Sequence, residues 1–228
     1  MNVCLYILYI YFKMVKISPS ILSADLVKLE DEVVTLDKNG ADYIHIDIMD
    51  GHYVPNITFG PNIVKSLRNI TSKILDVHLM ISPVEPYIDE FIKAGSDIIT
   101  FHPEADNDPL KIINIINSAN IKSGIAIHPN KEISDFEDLY DKIKQVIVMT
   151  VIPGFGGQKF MQNQVKKINE LYRLRKEKNY NYEISADGGI DNKTAKICID
   201  SGVDVLAIGS YLLSQDRQNY GQVIELLK

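Results

Sequence analysis

The chain has 228 residues, 46% of them hydrophobic and 24% charged, enough for one sizeable domain with its own core. A net charge of −6 and an isoelectric point near 5.4 argue against the basic face of a nucleic-acid binder, so any anionic substrate must be held by local groups. Two cysteines, Cys4 and Cys198, exclude a disulfide framework and fit a reducing compartment such as the cytoplasm.

Residues 1–15, MNVCLYILYIYFKMV, form an apolar run rich in Tyr and Ile. The run is shorter than the ~20 residues of a membrane span and lacks the basic start of a secretory signal. The expectation is a non-catalytic N-terminal extension with no membrane partner; organellar targeting is its alternative use. The catalytic domain then covers residues 16–228, with no Pro/Gly/Ser-rich linker dividing it.

From Lys16 onward short apolar runs alternate with amphipathic ones. Strands are expected over 17–21, 43–48, 74–80, 97–101, 123–128, 145–151, 182–187 and 205–209. Helices are expected between them, over 25–39, 85–94, 109–119, 161–178 and 192–201. Leu26, Leu29, Val33 and Leu36 carry the spacing of one buried helical stripe. Asp108-Pro109 reads as an N-cap followed by Pro at the first helical position, and Ser134-x-x-Glu137 as a capping box. Gly40-Ala41-Asp42, Gly95-Ser96-Asp97 and Gly202-Val203-Asp204 each follow a helix and precede a strand, with Gly suited to a left-handed C-cap. Their separations fit a period of about 27 residues, and eight such strand-helix units fill roughly 216 residues. Repeated βα units demand a parallel sheet, and eight of them point to a single (β/α)8 TIM barrel. An open doubly wound sheet is the runner-up, but the chain has no early Gly-x-Gly-x-x-Gly turn.

In such a barrel alternate strand residues face the axis, and chemistry sits at the C-terminal mouth. The second strand alternates strictly, with Ile44, Ile46 and Ile48 on one face and His45, Asp47 and Met49 on the other. The third places Asp76, His78 and Met80 on one face, and the seventh ends in Asp187 on the face of Ser185. Two imidazoles and two carboxylates, His45, Asp47, His78 and Asp187, suit one divalent ion: zinc, iron, manganese or cobalt. A lone histidine is more often a satisfied core residue, but four such groups at strand ends outweigh that reading. His52, His102 and His128 are assigned to no metal, although His102 faces the mouth after the fourth strand and is a candidate to shape the site. Met49, Met80 and Met149 fall on inward faces as an apolar floor that excludes water.

Glycines cluster at the same end. Pro153-Gly154-Phe155-Gly156-Gly157-Gln158 follows the sixth strand, Gly188-Gly189 the seventh and Gly209-Ser210 the eighth. Consecutive glycines let backbone N–H groups approach an oxyanion, and loops 6 to 8 are the usual phosphate site of a barrel. The 154–157 loop is also a candidate lid. Asp47 and Asp187 come from different sides of the axis, so one carboxylate removes a proton from one face of a planar intermediate and the other returns it to the opposite face. The outcome is an inverted stereocentre beside a carbonyl, with a metal stabilising the enediolate.

Ser18-Pro19-Ser20-Ile21-Leu22, His45 to Gly51, Val54-Pro55-Asn56-Ile57-Thr58-Phe59-Gly60, Thr150 to Phe160 and Asp187-Gly188-Gly189 carry a resemblance in chain order from about Lys16 to the C-terminus. The chain resembles the ribulose-phosphate 3-epimerase family, whose barrel is of the ribulose-phosphate binding type. The resemblance implies interconversion of D-ribulose 5-phosphate and D-xylulose 5-phosphate in the pentose phosphate pathway. It implies Asp47 as proton acceptor and Asp187 as proton donor, with His45, Asp47, His78 and Asp187 as metal ligands. It implies substrate contacts from Ser20, His45 and His78, and a phosphate-side lining from Gly154, Phe155, Gly156, Gly157, Gly188, Gly189, Gly209 and Ser210. It also implies a homo-oligomer, dimer or hexamer. The chain departs from the family pattern at Ser185-Ala186, at Ile152 and in the N-terminal run. Competing functions are a six-carbon epimerase acting on allulose 6-phosphate, a barrel aldolase or decarboxylase, and a non-enzymatic sugar-phosphate-binding barrel. The aldolase and decarboxylase reading needs a reacting-centre Lys, which the inward faces of strands 2, 3 and 7 lack.

Overall fold

The computed structural model describes residues 14–228. The expectation for residues 1–13 lies outside this range. Eight strands follow in chain order: β1 (Lys16–Pro19), β2 (Tyr43–Met49), β3 (Ile74–Met80), β4 (Ile98–Phe101), β5 (Lys122–Ile127), β6 (Gln145–Met149), β7 (Glu183–Asp187) and β8 (Val205–Ile208). All pair in parallel in the order β1-β8-β7-β6-β5-β4-β3-β2. A parallel bridge between Ser20 and His45 brings the two edge strands together and completes the barrel.

Every residue of β2 is buried, as a strand covered on both faces requires. Ile44, Ile46 and Ile48 join Val77, Ile99, Ile125, Val146, Ile184 and Leu206 in the layer shared with the helices. The opposite face fills the interior. At its N-terminal end Tyr43, Ile98 and Val205 pack together, beside a network in which Lys16 donates to Tyr43 Oη at 2.9 Å and Tyr43 donates to Glu183 at 2.8 Å. Nearer the C-terminal end the interior turns polar.

The helices are α1 (Leu29–Lys38), α2 (Pro61–Arg68), α3 (Ile88–Lys93), α4 (Pro109–Ser118), α5 (Val165–Lys178), α6 (Asn192–Asp200), α7 (Ser210–Leu213) and α8 (Tyr220–Leu227). Asp108 accepts from the N–H of Lys111 at 3.0 Å and Pro109 occupies the first turn, as the sequence predicts. Gly40, Gly95 and Gly202 have φ of 92°, 95° and 102°, so the three junctions do turn through the left-handed region. Among the described residues no helix is long and apolar enough to cross a membrane.

Two local expectations are corrected. The segment expected to be helical from 25 begins with a 3-10 turn, Leu26–Lys28, which rotates Leu26 off the buried stripe and leaves it 54% exposed. The Ser134-x-x-Glu137 box does not open an α-helix. Asp135 instead accepts from the N–H of Glu132 at 2.9 Å, within the 3-10 turn Ile133–Phe136. Tyr140 completes this crossover, donating to the carbonyl of Ile133 at 2.9 Å from a fully buried position.

Asp50, the residue after β2, clamps two mouth loops. One oxygen accepts from the N–H groups of His52 at 2.8 Å and Tyr53 at 3.0 Å, and the other from Ser82 at 2.9 Å. Burial pushes its carboxyl up, but these donors outweigh burial and hold it below the usual carboxylate range. Asp50→Ala is expected to cost about 1–3 kcal/mol, a loss of roughly 2–10 °C in melting temperature. The clamp stabilises above the unfolded carboxylate value of about 4 and is lost as pH falls through the lower folded value. The variant's deficit in thermal melts should therefore shrink in acid; a constant deficit down to pH 2 would reject the assignment.

Candidate active site

The β2–β3 register sets His45 opposite Asp76, Asp47 opposite His78 and Met49 opposite Met80. The β6–β7 register sets Met149 opposite Asp187. Parallel strands end at one mouth, so these positions converge. One ligand atom from each of His45, Asp47, His78 and Asp187 lies within 4.8 Å of the other three. His45 Nε2 is 3.3 Å from Asp47 Oδ1 and 3.7 Å from Asp187 Oδ2. His78 Nδ1 is 3.2 Å and 3.6 Å from the same two atoms.

Neighbours orient this cluster. His45 Nδ1 lies 2.9 Å from Asp76 Oδ2, which Gln145 Nε2 approaches at 3.3 Å and Ser18 Oγ at 3.4 Å. A carboxylate on the far ring nitrogen fixes the imidazole and leaves Nε2 to the site. That Nε2 is buried and has no hydrogen-bond partner. An orphaned nitrogen facing two carboxylates, with a second imidazole beside them, fits a divalent ion of the zinc, iron, manganese or cobalt type. Burial alone would lower the pKa of both histidines. Asp47 and Asp76 raise His45 well above the usual imidazole value, and Asp187 and Asp47 raise His78. Burial pushes the Asp47 carboxyl up, yet the charge of the nearby His45 and the hydrogen bond from His78 hold it far below the usual range.

Asp47 and Asp187 share one pocket with Ser20, Met49, Met80 and Met149. Ser20 donates to Asp47 Oδ2 at 2.6 Å. Gly154, Phe155, Gly156, Gly157, Gly188, Gly189, Gly209 and Ser210 line the same pocket, and among the described residues no Lys or Arg does so. Gly189 cannot carry a side chain. With φ at 65°, an added Cβ would stand 2.6 Å from the backbone nitrogen of Phe160. Asn56 donates to the carbonyl of Gly154 at 2.7 Å and links the β2 and β6 loops, while Phe155 stays 55% exposed.

Several contacts around the site are not legible in the sequence. Thr58 donates to the carbonyl of Asp47 at 2.6 Å and accepts from the N–H of Met49 at 3.0 Å. Thr150 donates its N–H to the carbonyl of Asp187 at 2.7 Å and its hydroxyl to that of Gly188 at 2.6 Å, fixing the end of β7. Asp76 was visible on an inward face, but its partner was not. His102 is buried, with its Nε2 3.1 Å from Nε2 of His78. Burial and the charges of His78 and His128 hold its pKa well below the usual imidazole value. His128 lies farther out against Asn130, and His52 is exposed. Neither belongs to the four-residue cluster.

The sequence pattern of the ribulose-phosphate 3 epimerase family matches residues 16–213. A ribulose-phosphate 3-epimerase of Bacillus subtilis is 44% identical over 207 residues, covering 90% of this chain and 95% of its own. A chloroplastic ribulose-5-phosphate-3-epimerase of Arabidopsis thaliana is 41% identical, covering 93% and 75%. The Escherichia coli ribulose-phosphate 3-epimerase is 38% identical, covering 93% and 94%. Among solved structures, 3-keto-L-gulonate-6-phosphate decarboxylase from Vibrio cholerae superposes with a TM-score of 0.69 at 17% identity, covering 93% of this chain and 95% of that one. That likeness concerns the barrel alone. From the match over residues 16–213 and relatives of this identity, the chain belongs to the ribulose-phosphate 3 epimerase family.

Proposed function

We propose that this protein interconverts D-ribulose 5-phosphate and D-xylulose 5-phosphate by exchanging the C3 proton between Asp47 and Asp187. One observation carries the reading: the two carboxylates reach a single pocket from β2 and β7, with β1 and β8 between those strands around the barrel. Asp47, ionised, takes the C3 proton, the C–H electron pair becomes the C2–C3 double bond, and the C2 carbonyl π pair moves onto its oxygen to give an enediolate. Asp187, protonated, returns a proton to the opposite face of C3; the double-bond pair forms the new C–H bond and the oxygen pair re-forms the C2 carbonyl. The aspartates exchange roles in the reverse direction.

His45, Asp47, His78 and Asp187 would hold one divalent ion, which supplies positive charge where negative charge develops on substrate oxygen. Ser20 keeps one Asp47 oxygen oriented through its 2.6 Å hydrogen bond. Met49, Met80 and Met149 wall the pocket with apolar surface and exclude water from the carbanionic carbon. The backbone amides of the glycine loops receive the phosphate, since among the described residues no cationic side chain lines the pocket.

The direct test is turnover of D-ribulose 5-phosphate in deuterium oxide, read by NMR. D-xylulose 5-phosphate carrying deuterium at C3 is expected. Product formed without solvent deuterium at C3, or no product at all, would reject the proton-exchange reading.

A further inference from the structure

We infer that His102 is a positioning residue for this site: it accepts a hydrogen bond from Nε2–H of His78 and thereby leaves the Nδ1 lone pair of His78 facing Asp47 and Asp187. The inference rests on the metal reading above. A neutral imidazole has one N–H and one lone pair. His78 Nδ1 faces the two carboxylates at 3.2 Å and 3.6 Å, and its Nε2 lies 3.1 Å from Nε2 of His102. At that distance one nitrogen donates and the other accepts. Were His102 the donor, neutral His78 would carry its proton on Nδ1, aimed into the site and unable to ligate. With His78 as donor, Nδ1 is free, and His102 carries its own proton on Nδ1. That nitrogen is buried without a hydrogen-bond partner; Glu104 Oε1, which accepts from Tyr53 Oη at 3.0 Å, stands 3.9 Å from it.

The two metal-facing histidines are thus backed differently. His45 has a carboxylate behind it, Asp76, which only accepts when ionised. His78 has an imidazole in that place. His102 reaches it because β4 pairs Thr100 with His78, and His102 falls two residues later on the same inward side. Its ring is buried and stands against Tyr53, with centroids 4.7 Å apart, and against His78, with centroids 5.2 Å apart. These contacts hold Nε2 in place. His102 does not line the substrate pocket, so its effect passes through His78.

The test compares zinc affinity of the full chain and two variants by competition with a chromophoric chelator, with thermal melts to establish folding. His102→Leu removes the acceptor, whereas the amide oxygen of His102→Gln restores one near the same position. The expected result is a loss of about 10- to 100-fold for His102→Leu and recovery of most of it for His102→Gln. Parent-like affinity in His102→Leu, or equal loss in both variants, would overturn the inference and leave the metal reading standing. A parent chain that binds no zinc would remove both. A second measurement needs no variant: long-range 1H–15N spectra of the zinc-loaded, 15N-histidine-labelled protein should show His78 protonated at Nε2 and His102 at Nδ1. A proton on Nδ1 of His78 would overturn the assignment.

Discussion

Asp47→Asn and Asp187→Asn are each expected to lower kcat for epimerisation by about 10²- to 10⁴-fold, the range for losing a positioned proton-transfer group. Both changes keep side-chain size, so thermal melts should stay close to those of the parent. The variants should also differ from each other. With Asp187 replaced, Asp47 is expected still to remove the C3 proton of D-ribulose 5-phosphate. Hydrogen exchange between that substrate and solvent should then persist while D-xylulose 5-phosphate fails to appear. With Asp47 replaced, exchange should persist only from the D-xylulose side. Metal content must be measured in parallel, because both carboxylates belong to the four-residue cluster. Parent-like turnover in either variant would refute the two-carboxylate mechanism. Loss of exchange from both substrates in a variant that retains its metal would refute the assignment of one face to each aspartate.

Removal of the ion should have a comparable effect. Incubation with a strong chelator is expected to abolish turnover, and one of zinc, iron, manganese or cobalt should restore it. Full activity in protein with no detectable metal would refute the metal dependence. The electrostatics add a signed pH dependence. In the metal-free protein burial lowers the His45 and His78 pKa values, but the surrounding carboxylates more than reverse this and hold both above the ordinary imidazole value. Each ring therefore holds its proton more tightly than a free imidazole, and a ligand nitrogen must lose that proton. Apparent metal affinity should rise with pH through the raised imidazole range, and binding should release protons. Calorimetric titration in two buffers of different ionisation enthalpy measures that release. Affinity that is flat between pH 6 and 9 would contradict the arrangement.

Much of this site is legible in the order of residues. Side chains alternate along a strand with period two, and a parallel barrel brings the C-terminal ends of all its strands to one mouth. His45, Asp47, His78 and Asp187 therefore follow from inward positions alone, as do the three methionines and the glycine loops. Gly40, Gly95 and Gly202 announce the repeat, because a left-handed C-cap is a local requirement of the backbone.

What periodicity does not carry is the identity of the neighbour across the register. Nothing in the strand Tyr43–Met49 says that Asp76 backs His45, or that Thr58 ties the carbonyl of Asp47. The Asp135 box, the exposure of Leu26 and the contact of His102 with His78 depend likewise on how elements settle against one another. The amino-acid sequence thus determines which groups face the axis, since that is local geometry. Which ring nitrogen each histidine presents emerges only when β3 and β4 are locked side by side, because a hydrogen bond between strands needs both strands in place.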